Sequence, residues 1–273
     1  EVMLDYPGGC VIGARPIDMH LYLLKLLGAT FIVENEHING KVNQFVGNSI
    51  HLPFPSVGAT ENGILASVMA KGKTILTGCA KEPEIQHLCQ FLKMAGAKIE
   101  GIGTERLIID GVSKLYPIPY DVPSDRIVAG TYLFSAVASR GRICLRNTPV
   151  EELTAVLDVA RQMGARIKGQ RDCLEIWQKE RPKAIPLVQT KVYPGFPTDM
   201  QPQIATVLAI AEGTSIVTEG VWDNRFRYLD QLTLMGADVQ VDGKSAVITG
   251  VDSLKAAPVR AVDLRAGAAM IIA

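Results

Sequence analysis

Apolar residues recur along the chain with helical spacing in four places, and each run ends on the same Gly-Ala pair. The runs read LYLLKLLGATFIV, LCQFLKMAGAKIE, VLDVARQMGARIK and YLDQLTLMGADVQ, with glycines at Gly28, Gly96, Gly164 and Gly236, roughly 70 residues apart. Leu23, Leu24 and Leu27 fall on one helical face, as do Leu88, Phe91, Leu92 and Ala95. A glycine after such a run supplies the left-handed residue that stops a helix. Short alternating stretches follow, such as KIEGI and RLIIDGV, and predict paired strands. A second marker runs in parallel through MAKGKTILTG, ASRGRICLRN and AEGTSIVTEG, with glycines at Gly72, Gly141 and Gly213. The predicted unit is strand, helix, strand, helix, strand, strand. Its helices carry single apolar faces that must be buried against neighbouring units.

The pattern breaks in three informative places. DLRAGAAMIIA resembles the helix that precedes each Gly-Thr strand, and the chain stops where that strand is due, while EVMLDY enters as a strand; both ends predict a piece of a longer repeat protein. YPIPYDVPSDR, residues 116–126, is punctuated by proline and marks a boundary between two lobes, residues 1–123 and 124–273, with a helix able to start after Ser124 or Asp125. Residues 178–199 form the longest irregular-looking stretch, a place where function often resides.

Composition narrows the classes. Of 273 residues, 48% are hydrophobic and 21% charged, ordinary for a packed core, and 28 basic residues balance 28 acidic ones. That balance gives no general reason to expect nucleic acid or a membrane surface as partner, although a local anion site is compatible with it. No apolar run approaches the ~18 residues of a membrane span. Five cysteines, at 10, 79, 89, 144 and 173, form no C-x-x-C pair, and their odd, scattered count suits a reducing compartment such as the cytoplasm.

Several residues are placed to carry chemistry. Cys10 follows two glycines and precedes Arg15, a setting that allows movement, favours a thiolate and grips an anion; the same residue can also be an inert loop thiol. Asp199, in YPGFPTDMQPQ, is either the cap of the next helix or a carboxylate held in a cleft to accept a proton. Ser56, Val57 and Gly58 precede a helix whose free amides can hold a phosphate, or simply form a capped loop. SDRIVAGT and TDMQPQIA occupy equivalent places in later copies. KGKT lacks the glycine at position 67 that a phosphate loop needs, GIG does not continue as a dinucleotide fingerprint, the four histidines have no metal spacing, and Trp177 and Trp222 read as packing residues.

PGGCVIGARPIDMH, PSVGATENG, AKEPEI, FPTDMQPQ, VWDNRF and DLRAGAA occur in this order, and together they resemble the UDP-N-acetylglucosamine 1-carboxyvinyltransferase family of enolpyruvyl transferases over essentially the whole chain. The resemblance implies an α/β fold, the inside-out α/β barrel of six repeated units in two lobes, of which about four are present. It implies transfer of enolpyruvyl from phosphoenolpyruvate to the 3′-hydroxyl of UDP-N-acetylglucosamine with release of phosphate, the first committed step of peptidoglycan synthesis, without metal or cofactor. By motif, Cys10 corresponds to the lid cysteine that fosfomycin attacks, and Arg15 to a contact for both substrates. Pro16, Ile17, Asp18 and Met19 line the uridine side, Ser56, Val57 and Gly58 hold the diphosphate, and Val221 lies beside the nucleotide. Asp199 is the base near the 3′-hydroxyl, Asp263 and Arg265 form a charged pair at the cleft, and Arg126 and Arg225 are further anion contacts. The chain departs from the family at Phe54, where a lysine is usual, and the family's N-terminal Lys-Asn pair and its remaining phosphoenolpyruvate arginines have no counterpart in it. Two other readings stay open: a catalytically incomplete UDP-sugar-binding or structural fragment of the same fold, and the shikimate-pathway relative, which has no cysteine lid.

Overall fold

The computed structural model describes residues 1–5, 16–34, 37–170 and 173–273. The chain divides into two compact units, the first ending at Val122 and the second running from Pro123 to Ala273.

In the first unit, β1 (Val2–Asp5), α1 (Asp18–Leu26), β2 (Thr30–Glu34) and β3 (His37–Lys41) form one copy of the repeat, with strand order β1-β3-β2. The next copy is complete: β4 (Ser49–His51), α2 (Val57–Ser67), β5 (Lys73–Thr77), α3 (Pro83–Met94), β6 (Lys98–Glu100) and β7 (Arg106–Asp110), with order β4-β5-β7-β6. Leu107 and Ile109 of β7 point inward, as their alternation predicts, and meet Ile64 of α2 and Ile85, Cys89 and Leu92 of α3 in one core. Leu23 and Leu27 are fully buried in that core, whereas Phe91 stays exposed and rests its ring edge on Tyr120.

The second unit contains α4 (Arg126–Ala138), β8 (Arg142–Arg146), α5 (Thr154–Gln162), β9 (Arg166–Gln170) and β10 (Cys173–Trp177), with order β8-β10-β9. It continues with β11 (Leu187–Gln189), α6 (Gln201–Leu208), β12 (Thr214–Thr218), α7 (Leu229–Leu234), β13 (Asp238–Asp242) and β14 (Ser245–Thr249), in order β11-β12-β14-β13, and ends in α8 (Leu264–Ile272). In all four copies the last strand lies between the two strands before it, and in the two four-stranded copies the first strand adds in parallel at the edge. The four sheets are open, and none among the described residues closes on itself.

Three expectations change. The copy around α4 has no leading strand: Pro117, Pro119 and Pro123 remove the amides a strand needs. The irregular stretch 178–199 contains β11 and is fastened down. Arg181 donates to the carbonyls of Ile210, Ala211, Gly250 and Val251 and pairs with Asp252, while Gln178 donates to the Glu180 carbonyl. The thiols are not all free either. Cys144 lies opposite Glu175, two residues along β10 from Cys173, so the register brings the two sulfurs together on one face, and they form a disulfide. Cys79 and Cys89 are free and buried.

The helix stops follow the glycines. Gly28, Gly96, Gly164 and Gly236 all have φ between 89° and 108°. In the second marker, Gly72 and Gly213 are left-handed, but in ASRGR the left-handed residue is Arg140, one position before Gly141.

Every residue of α6 is buried. A helix enclosed on all sides must find partners for its polar side chains internally, and among the described residues only the Oε1 atoms of Gln201 and Gln203 are left without one. Gln203 donates to Thr131 Oγ1 on α4, Thr206 to the Pro202 carbonyl, and Gln201 to Glu219.

Candidate functional site

The helices α2, α4, α6 and α8 occupy the same place in successive copies, and their first turns differ. Ser56 caps α2 by accepting from the Ala59 amide. Asp125 caps α4 through the amides of Ile127 and Val128. Asp263 caps α8 through the amides of Arg265 and Ala266 at 2.8 and 2.9 Å. At α6 the chain instead enters through a 3₁₀ turn, Thr198–Met200, and no side chain caps the helix. Asp199 is thereby released from the capping role that its sequence setting suggested.

The freed carboxylate is held between two guanidinium groups. Its Oδ1 accepts from Arg225 Nη2 at 3.2 Å, and its Oδ2 accepts from Arg265 Nε and Nη2 at 3.1 and 2.9 Å. The Arg225 side chain is 2% exposed, Arg265 26% and Asp199 39%, so the carboxylate faces outward from a buried cationic wall. Such a group can accept a hydroxyl proton in a fixed direction, and the arginines beside it can meet an anion. The expected Asp263–Arg265 charged pair is not formed. Asp263 is committed to the α8 amides, and the Arg265 guanidinium reaches Asp199.

Val221 lies in the loop after β12. Its amide and that of Trp222 donate to Glu219 Oε1, at 2.8 and 3.0 Å. Gly220 packs against the Thr190 carbonyl, which a Cβ there would meet at 2.4 Å, and its amide donates to Thr190 Oγ1. Arg126, the first residue of α4, is 8% exposed and lies over the Tyr193 ring at 5.6 Å. Asp199, Arg225 and Arg265 are therefore brought together, with Val221 and Asp263 on adjoining turns.

In the first unit, Asp18 and Met19 open α1, preceded by Pro16 and Ile17, and Met19 packs on the core. Ser56, Val57 and Gly58 form the start of α2, where first-turn amides have no partner within the helix and attract anions. The missing side chain at Gly58 lets His20 approach; a Cβ there would lie 3.0 Å from the ring. Asn62 Nδ2 donates to His20 Nδ1 at 2.6 Å, leaving the ring proton on Nε2. Burial lowers the His20 pKa from 6.5, against the opposing pull of Asp18, and so favours the neutral ring. Phe54 is exposed beside this turn. Cys10 and Arg15 lie outside the described residues.

Sequence reasoning missed Glu219 and the His20–Asn62 pair, and it offered Thr198 only as a cap for α6, whereas Thr198 donates to Glu219. Their links are non-local, although a carboxylate directly after a strand and before a glycine turn is a signal that could have singled out Glu219. Among the described residues no group of three His, Cys, Asp or Glu is arranged to hold a metal.

Residues 1–273 match the family described as EPSP synthase (3-phosphoshikimate 1-carboxyvinyltransferase). The chain is 48% identical over its full length to UDP-N-acetylglucosamine 1-carboxyvinyltransferase 2 of Caldanaerobacter subterraneus, covering 66% of that protein. It is 44% identical to UDP-N-acetylglucosamine 1-carboxyvinyltransferase 1 of Carboxydothermus hydrogenoformans, covering 65% of it. Among solved structures, the enolpyruvyl transferase NikO from Streptomyces tendae superposes on 95% of this chain with a TM-score of 0.84 at 22% identity, the chain covering 65% of NikO. EPSP synthase from Acinetobacter baumannii superposes on 96% of it with a TM-score of 0.70 at 20% identity, the chain covering 64% of that structure. These last two share the fold. With residues 1–273 matched by the family, the chain belongs to the EPSP synthase family.

Proposed function

We propose that this chain supplies about two thirds of an enolpyruvyl transferase that moves the carboxyvinyl group of phosphoenolpyruvate to the 3′-hydroxyl of UDP-N-acetylglucosamine, in the cytoplasm and as part of cell-wall synthesis. The observation that carries the reading is Asp199, the one carboxylate at the four equivalent helix starts that is turned from capping to a two-arginine clasp. The sugar-nucleotide acceptor is favoured over a shikimate-type acceptor by 48% identity to a relative of that name, against 20% to the EPSP synthase structure.

In this reading Asp199 takes the proton from the acceptor hydroxyl. The hydroxyl oxygen bonds to C2 of phosphoenolpyruvate while C3 gains a proton. The resulting ketal expels phosphate and C3 loses a proton, restoring the double bond. Arg225 and Arg265 fix Asp199 and offset anionic charge. The turn of Ser56, Val57 and Gly58 receives the diphosphate through the Val57 and Gly58 amides, the Ser56 amide being taken by the Phe54 carbonyl; Val221 and residues Pro16 to Met19 border the nucleotide, and Asp263 holds the turn that presents Arg265. Cys10 keeps the lid role and Arg15 the contact with both substrates that the family resemblance gives them, Arg126 stands as an outer anion contact, and the two units serve as parts of two lobes. No metal or other cofactor is needed, and neither nucleic acid nor a membrane is a partner; among the described residues no helix is long and apolar enough to cross one.

The test is phosphate release by the full-length protein. Release is expected to need both phosphoenolpyruvate and UDP-N-acetylglucosamine, and Asp199→Asn should lower kcat by about 10²–10⁴-fold with little change in KM. Release with shikimate 3-phosphate as sole acceptor, or wild-type turnover in Asp199→Asn, would refute the reading. The chain as given, assayed alone, separates an active piece from a binding or structural one.

A further inference from the structure

Glu219 is 1% exposed and carries four hydrogen bonds, all from uncharged donors. Thr198 Oγ1 and Gln201 Nε2 donate to Oε2 at 3.0 and 2.7 Å, and the Val221 and Trp222 amides donate to Oε1. Its own amide is tied to the Lys244 carbonyl at the end of the β12–β14 pairing. A buried carboxylate with no cationic partner among the described residues is an expensive group to retain for stability alone.

Its partners identify another use. Thr198 is the chain neighbour of Asp199, and Trp222 lies three residues before Arg225, so a closed circuit runs from Glu219 through Thr198 to Asp199, across the ion pair to Arg225, and back through Trp222 to Glu219. Oε2 holds the turn that aims the carboxylate. Oε1 holds the loop that carries Val221 and leads to the buried arginine. We infer that Glu219 is a positioning residue that sets Asp199 and the Val221 loop in a single geometry, so that alignment of the base and seating of the sugar nucleotide are coupled through one side chain. This inference rests on the transferase reading above.

Gln201 provides an internal control. Its Oε1 is buried without a partner among the described residues, so reversing that amide would let it accept from a glutamine at position 219. Glu219→Gln is therefore expected to keep most of the circuit. Glu219→Asp, one methylene shorter, cannot span both sides, and Thr198→Val removes only the link to the Asp199 turn.

The experiment is steady-state kinetics of the full-length enzyme and these three variants, with circular dichroism to establish folding. Thr198→Val should lower kcat about 10-fold and leave KM for the sugar nucleotide within about twofold. Glu219→Asp should lower kcat by about 10- to 100-fold and also raise that KM about 10-fold, the scale expected when a reacting group is displaced by a fraction of an ångström to 1 Å. Glu219→Gln should lie closer to wild type than Glu219→Asp. A folded Glu219→Asp with wild-type kcat and KM would overturn the assignment, as would a Thr198→Val enzyme whose kcat loss only follows its active fraction. A wild-type enzyme that releases no phosphate from the two substrates would overturn the transferase reading itself, and the inference with it.

Discussion

Gly130, in the middle of α4, lies directly against the turn that carries Asp199. A Cβ built there would fall 1.6 Å from Met200 Cε and 2.4 Å from its Sδ, and Met200 is fully buried. Gly130→Ala therefore sets two terms against each other. Removing a mid-helix glycine favours folding by about 0.5–1 kcal/mol. Forcing Met200 aside in a packed interior costs about 1–3 kcal/mol. With a contact as short as 1.6 Å the cost falls in the upper part of that range, about 2–3 kcal/mol, and the net expectation is a loss of about 1–2 kcal/mol. Met200→Ala alone should cost about 2–5 kcal/mol, as a cavity-forming change. In that background the clash is gone, so Gly130→Ala should stabilise by about 0.5–1 kcal/mol. The sign reversal corresponds to a coupling of about 2–3 kcal/mol, measurable by a double-mutant cycle from urea unfolding followed by far-UV circular dichroism. Because Met200 and Asp199 share one turn, Gly130→Ala should also reduce turnover of the full-length enzyme. An equal effect of Gly130→Ala in both backgrounds, or a gain in the wild type, would refute the packing argument.

Arg181 ties four backbone carbonyls and Asp252 together, so Arg181→Met should destabilise by about 2–4 kcal/mol in urea unfolding, and Arg181→Lys should recover less than half of that, because one ammonium cannot reach all the acceptors. Burial pushes the thiols of Cys79 and Cys89 up from 9.0 to about 11. The unfolded chain ionises first, so stability should be fully present below pH 9, fall between pH 9 and about 11, and level off above; the Cys79→Ala, Cys89→Ala double variant should lack this extra alkaline loss. Both thiols should also resist a maleimide reagent at pH 7.5 until the protein is unfolded.

The repeat was legible because it is local. Each helix face, its terminal glycine and the following alternation lie within about 20 consecutive residues, and the four left-handed glycines fall where the pattern puts them. The site was legible only in its parts. Asp199 stood out from its setting, but nothing near it announces Arg265, 66 residues away, as its partner. For the same reason Asp263 and Arg265 read as a pair, whereas the helix start takes one and Asp199 the other. The missing strand before α4 was hidden because the repeat argues for it, and three prolines argue more strongly against it. Cys144 and Cys173 show the same limit: their proximity follows from strand register, which the spacing of 29 residues does not reveal.

The open first turn of α6 has a consequence for how the fold tolerates change. A cap residue contributes about 1 kcal/mol, and three of the four equivalent helices retain one. The fourth forgoes it in the copy where a carboxylate has been turned to other partners. Selection for a sturdier protein would restore the cap and in doing so draw the carboxylate back onto the backbone. At this turn robustness and activity are alternatives, so stabilising substitutions found by selection on folding alone should collect here, and selection that also demands turnover should exclude them.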